Sequence, residues 1–145
     1  MAAPLYTTAI LRLATETLTW PRLEAPDFTA ERRAPLCGST LILDLAVDDM
    51  DVISAVGMRP QSCAMGQASA TLFARHAIGH SKTDVIAVHT ALQAWLAGKN
   101  DIPPNWPEIE ILTPARDYPA RHGAIMLPFD AAVAAFGDTT LEGKI

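Results

Sequence analysis

The 145-residue sequence predicts an α+β domain in which helices pack on one face of a small antiparallel sheet of about three strands. Two observations predict this class. Residues 40–56 contain two short segments with a strand pattern, separated by an acidic turn. Every later segment with clear periodicity has helical spacing, and strands early with helices late are typical of an α+β domain.

The first element is a short amphipathic helix that ends before Pro21, and residues 21–26 form an extended connector. Its apolar positions recur at helical spacing: Leu5, Tyr6, Ile10, Leu13 and Ala14.

A β-hairpin follows. Over 40–47 a period of two is formed by Leu41, Leu43, Leu45 and Val47, which alternate with Thr40, Ile42, Asp44 and Ala46. The acidic run 48–51 suits a turn, and 52–56 is predicted to be a second strand. A hairpin of this register places Cys37, before one strand, near Cys63, after the other. The proline-marked stretch from Arg59 reads as the loop that carries Cys63 to a helix.

That helix is predicted to start near Cys63, with Ser62 as its N-cap, and to run to about Ile78. The positive end of a helix dipole stabilises a thiolate, the form of cysteine that attacks electrophiles and binds metals. The alternative is an inert thiol packed as a small hydrophobe.

The remaining chain is predicted to be mostly helical. Ser81 opens a capping box, and the helix after it ends at Gly98. Residues 101–107 form a proline-rich loop, 109–114 is a short segment, and 116–136 is helical with a kink or break at Pro128.

Composition bounds the class of protein. We expect residues 1–145 to form a single domain, with a core over 5–136 and a frayed tail over 137–145, because 50% of the residues are hydrophobic. No apolar run is long enough for a membrane span, and no export signal is visible. We therefore expect a cytoplasmic protein with reduced thiols. A Cys37–Cys63 disulfide is the alternative. The net charge of −5 disfavours nucleic acid and anionic membranes as partners.

Common catalytic motifs are absent from the sequence. The cysteines lack Cys-x-x-Cys spacing, and neither a nucleophile elbow nor a phosphate-binding glycine loop occurs. His76 and His80 have a chelating spacing, but Gly79 interrupts it, and His89 sits among core residues. We therefore expect a protein that is not an enzyme.

Three blocks together resemble the iron–sulfur cluster assembly scaffolds of the IscU, SufU and NifU N-terminal type. They are residues 35–38 (Pro-Leu-Cys-Gly), 62–69 (Ser-Cys-Ala-Met-Gly-Gln-Ala-Ser) and 118–129 (Tyr-Pro-Ala-Arg-His-Gly-Ala-Ile-Met-Leu-Pro-Phe). The resemblance covers about residues 5–136, and the long interval before the third block is similar to the SufU branch.

The resemblance implies a site at one end of the sheet, where family members hold a nascent iron–sulfur cluster or a zinc ion with three cysteines and an aspartate. Cys37 and Cys63 match the first two cysteines, and Arg121 matches a basic position of the family. Ser39 stands in place of the aspartate and Ala124 in place of the third cysteine.

His122 is the candidate to fill the gap, because a neutral imidazole binds zinc and iron well. Two residues on a helix are about 200° of rotation, however, so His122 is expected to point away from where Ala124 points. The sequence does not say whether the cofactor is a transient cluster, zinc or none.

Three functions follow. The favoured one is a scaffold that binds iron, a cluster or zinc through Cys37 and Cys63, with a cysteine desulfurase and acceptor apo-proteins as partners by resemblance. The second is a degenerate paralogue that binds protein partners without a cluster. The third is a thiol enzyme or persulfide carrier with Cys63 as nucleophile and Cys37 as resolving thiol.

Overall fold

The computed structural model describes residues 4–137. Within this range the helices and strands are α1 (Thr8–Ala14), β1 (Phe28–Arg33), β2 (Thr40–Val47), β3 (Ile53–Gln61), α2 (Ala64–His76), α3 (Lys82–Leu96) and α4 (His122–Ala135). Short 3-10 helical segments span Thr17–Thr19, Ile109–Asp117 and Pro119–Arg121. The predicted frayed tail lies outside the described residues, apart from Gly137.

The three strands form one antiparallel sheet in the order β1-β2-β3, which confirms the α+β class and the hairpin. Leu43 of β2 pairs with Met58 of β3 on one side and with Ala30 of β1 on the other. Leu41, Leu43 and Leu45 of β2 are buried, as is Asp44 between them, and α4 packs on β1 and β2. The sequence pattern does not predict strand β1, because its side chains alternate between half-buried and exposed and form no clear apolar stripe.

Strand β3 is longer than predicted, so the expectation of a loop from Arg59 is wrong. The strand continues to Gln61 and includes Pro60, which lies opposite Leu41. Because β3 is an edge strand of the described sheet, a residue without an N–H group can be accommodated there.

The helices follow the predicted pattern, with three corrections. The helix predicted over 116–136 begins only at His122, because Ile109–Asp117 and Pro119–Arg121 form 3-10 helical segments. Ser81 caps α3 with a complete capping box, as predicted. Cys63, not Ser62, is the N-cap residue of α2, and α4 continues through Pro128 without a break. No helix within residues 4–137 has the length and apolar character that a membrane span requires.

The connector after α1 crosses the sheet at Gly57. A Cβ atom on Gly57 would lie 2.5 Å from the Pro21 carbonyl oxygen and 2.6 Å from the Leu23 nitrogen. The Met58 N–H donates a hydrogen bond to the Trp20 carbonyl at 2.9 Å, which fixes the crossing segment in place. Only glycine therefore fits at this position without a shift of backbone.

We expect Gly57→Ala to lower the free energy of unfolding by about 2 kcal/mol, as is usual when a methyl group is forced against well-packed atoms. Urea denaturation measures this loss. Ser54→Ala, on an exposed position of the same strand, is the control and should change stability little. An equally stable Gly57→Ala protein would show that the connector can move away.

A buried carboxylate anchors the same connector. Asp44 in β2 accepts hydrogen bonds from Arg22 Nε at 2.6 Å, the Thr29 hydroxyl at 2.7 Å and the Leu23 N–H at 3.0 Å. The Asp44 side chain is fully buried. The connector, β1 and β2 are thus joined at one charged group.

Candidate functional site

Cys37 and Cys63 lie at the same edge of the sheet, as the hairpin predicts. Residue 40, which begins β2, pairs with residue 61, which ends β3. The turn before β2 and the residues after β3 are therefore neighbours, although the cysteines are far apart in the chain.

Ser39 links the two cysteines. Its hydroxyl oxygen accepts a hydrogen bond from the Cys37 thiol at 3.1 Å and lies 3.4 Å from the Cys63 backbone nitrogen, which donates to it. Ser39 is buried, whereas both cysteines are half-buried and free. The two thiol-bearing residues are thus gathered around one hydroxyl group at the surface of the domain.

A tight turn presents Cys37. The Gly38 N–H donates to the Ala34 carbonyl at 2.9 Å, and the Ala34 N–H donates to the Ser39 carbonyl at 2.8 Å. Gly38 has a φ of +70°, in the left-handed region that glycine adopts without strain. The turn formed by Pro-Leu-Cys-Gly therefore fixes the position of Cys37.

Cys63 begins α2, whose free N–H groups and dipole favour negative charge at this end. The neighbouring Ser62 hydroxyl is buried, has no hydrogen-bond partner within residues 4–137, and occupies the space where a side chain at Gly66 would lie. Ser62 therefore fills a gap beneath the site instead of capping the helix.

Ala124 lies beside the start of α2, fully buried. Its Cβ is 3.3 Å from where a Cβ on Gly66 would be, and Gly66 is in the first turn after Cys63. A methyl group thus stands where the family resemblance places a third thiolate.

His122 and Arg121 lie at the start of α4. His122 Nε2 is 2.9 Å from the Ala115 carbonyl, so Nε2 donates there and only Nδ1 is left as a potential metal ligand. His122 borders a cavity that Cys37 also lines and that Ala124 does not reach. Arg121 Nε is buried without a hydrogen-bond partner among the described residues. A ligand role for His122 and a charge-balancing role for Arg121 stay predictions.

The donor atoms do not amount to a complete metal site. Residues 4–137 contain no group of three or more His, Cys, Asp or Glu side chains that could hold a metal ion. Structural zinc and most iron–sulfur clusters take four protein ligands. Two thiols and one hydroxyl fall short of that set, so this chain alone offers an open, partial site.

The other histidines are engaged elsewhere. His76 Nε2 lies 2.7 Å from Glu108, and the His80 ring stacks on Trp106. His89 is buried, and its Nε2 lies 2.6 Å from Asp130 in α4. Asp130 was not among the predicted site residues, although it is the one charged residue in the run 124–136, and a carboxylate in an apolar helix indicates a buried, paired charge.

Solved structures provide the comparison with known proteins. The N-terminal NifU-like protein from Brucella abortus is 30% identical, with a TM-score of 0.85, over 97% of this chain and 96% of that one. A protein described as the iron–sulfur cluster assembly scaffold of the SUF system from Fervidobacterium islandicum is 22% identical, with a TM-score of 0.82, over 90% of this chain and 96% of that one. The second likeness shows the fold alone. No family model and no curated protein matches the chain.

Proposed function

The chain belongs to the IscU/SufU/NifU family of iron–sulfur cluster assembly scaffolds, and we propose that it holds iron, or a nascent iron–sulfur cluster, through Cys37 and Cys63. The single observation that carries this proposal is the Ser39 hydroxyl, which hydrogen-bonds the Cys37 thiol and the Cys63 backbone and so keeps both residues at one edge. Thiolates are soft ligands that suit iron–sulfide cargo.

The cargo is held weakly in this proposal, because Ala124 offers no third sulfur. The remaining coordination positions are filled from outside the chain, by a protein partner or a small thiol. A cysteine desulfurase is the proposed sulfur source and acceptor apo-proteins are the proposed destination. The chain itself is not an enzyme in this scheme, and its two free thiols suit a reducing compartment such as the cytoplasm.

Anaerobic reconstitution with ferrous iron and sulfide tests the proposal. We expect visible charge-transfer absorption in the wild-type protein in the presence of added thiol. Cys37→Ser and Cys63→Ser should each abolish it, because one remaining thiolate cannot retain the cargo. Ser54→Ala, away from the site, should behave as wild type. Thermal melting confirms that each variant is folded.

Wild-type protein that develops no such absorption, with or without added thiol, would refute the cluster-binding role. The buried methyl group of Ala124 favours a second candidate for that case, a partner-binding module without cargo. This module should bind a cysteine desulfurase equally well in the wild-type, Cys37→Ser and Cys63→Ser forms. Loss of binding in the serine variants would contradict it.

A further inference from the structure

A cavity of about 360 Å³ is lined by Cys37 and His122, among other residues. The turn before β2, the end of α3 and the first half of α4 enclose it. Its apolar walls include Pro35, Leu96 and Met126. This volume is in the range of small-molecule sites.

Among the described residues that line this apolar cavity, Asp130 is the one with an acidic or basic side chain other than histidine. Asp130 is only 7% exposed. Its Oδ1 is 2.6 Å from His89 Nε2, and within residues 4–137 this is the one hydrogen bond that its carboxylate makes. A carboxylate has room for several donors, so the capacity of Asp130 is largely unused.

His89 engages only one oxygen of the Asp130 carboxylate. The second ring nitrogen of His89, Nδ1, is buried and has no hydrogen-bond partner among the described residues. The other carboxylate oxygen of Asp130 is not among the buried polar atoms without a partner within residues 4–137. Asp130 lines the cavity, so a cationic donor in the cavity can reach this oxygen and form a charge-assisted hydrogen bond with it.

We propose that this cavity binds a small molecule with a protonated primary amine on an unbranched apolar chain, the ammonium group on Asp130 and the other end beside Cys37. Along α4 the cavity is lined from His122 to Asp130, which is about 12 Å at 1.5 Å per residue. A free chain of six carbons matches this length. A lysine side chain of a protein has only four methylene groups and is shorter.

The orientation of the ligand follows from the helix. The N-terminus of α4 lies at the Cys37 end of the cavity and carries the positive end of the helix dipole. An ammonium group is therefore disfavoured there and favoured at Asp130. Cys37 borders both this cavity and the proposed cargo site, whereas Ser39 and Cys63 do not line the cavity. Amine binding is tested on metal-free protein, so the proposal does not depend on iron binding.

Titration of the ¹⁵N-labelled protein with n-hexylamine, followed by amide chemical shifts, tests the site. We expect saturable shifts in residues 93–97 and 120–130. Hexan-1-ol, which has the same chain without the charge, should bind at least tenfold more weakly. Asp130→Asn, which keeps an oxygen for His89, should weaken hexylamine binding at least tenfold. Asp117→Asn, an exposed position with the same charge change, should not.

A second variant keeps the test decisive if Asp130→Asn does not fold. Ala97→Phe places a ring at the exposed rim of the cavity while Asp130 and His89 stay unchanged, and it should also weaken hexylamine binding. Equal affinity for hexan-1-ol, undiminished binding in both variants, or shifts confined to another face would overturn the proposal. A peptide with an acetylated N-terminus and an unmodified lysine side chain is the comparison for a protein ligand. Tighter binding of this peptide than of hexylamine would overturn the assignment to a free amine.

Discussion

Asp44→Ala is expected to lower the free energy of unfolding by about 3–4 kcal/mol, the largest stability loss that we predict for a single side chain. Removing the carboxylate leaves the Thr29 hydroxyl and the Leu23 N–H without their acceptor. Breaking one side of a buried ion pair costs about 3–5 kcal/mol, and the partial exposure of Arg22 places this case toward the lower end. Urea denaturation followed by circular dichroism measures the change.

Asp49→Ala, on an exposed residue of the β2–β3 turn, is the matched control and should stay near the wild-type value. Asp44→Asn should be intermediate, since an amide retains one acceptor oxygen but loses the charge. If Asp44→Ala unfolds at the same urea concentration as Asp49→Ala, the connector is not held by this carboxylate.

The same group makes stability depend on pH. Burial by itself raises the pKa of Asp44, but hydrogen bonds from Arg22, Thr29 and the Leu23 N–H, together with the charge of Arg22, outweigh it and hold the pKa below its usual value. A lowered folded-state pKa means that the stabilisation is complete above the unfolded-state pKa of about 3.9 and is lost as pH falls through the folded-state value. Acid should therefore destabilise the wild type more steeply below about pH 4 than Asp44→Asn.

Local sequence patterns predicted those elements whose own residues show a clear periodicity or capping motif. The period-two pattern of β2 and the capping box at Ser81 depend on neighbouring residues only, and the strand and the capping box were both confirmed. Strand β1 and the end of β3 depend on a partner strand across the sheet. The structure of those segments is decided by tertiary pairing, which overrides weak local propensity.

For the site, the proximity of Cys37 and Cys63 could be predicted from the sequence, but the contact between His89 and Asp130 could not. The proximity of residues 37 and 63 follows from predicting two adjacent antiparallel strands, because residue 40 then lies near the end of the second strand, where it pairs with residue 61. Asp130 and His89 are 41 positions apart and meet only because α3 packs on α4. Periodicity identifies which faces of two helices are buried, but not which residues on those faces meet.

Ala124→Cys is expected to convert the partial site into a zinc-binding site, with an affinity more than about 100-fold above that of the wild type. The new thiol would lie beside Gly66, in the first turn of the helix that Cys63 begins. Loss of a second-shell partner already changes metal affinity about 10–100-fold, so gain of a direct thiolate ligand should exceed that. Competition with a chromophoric zinc chelator measures the affinity.

Ala124→Ser is the matched control, because it adds a group of similar size at the same buried position without a thiolate. Its zinc affinity should remain within a few-fold of the wild type, and thermal melting of both variants shows whether the position accepts the added atom. Ala124→Cys combined with Cys37→Ser should lose the gain, since the new sulfur acts only together with the two cysteines already present. If Ala124→Cys folds and binds zinc no more tightly than Ala124→Ser, the start of α4 does not face the same centre as Cys37 and Cys63.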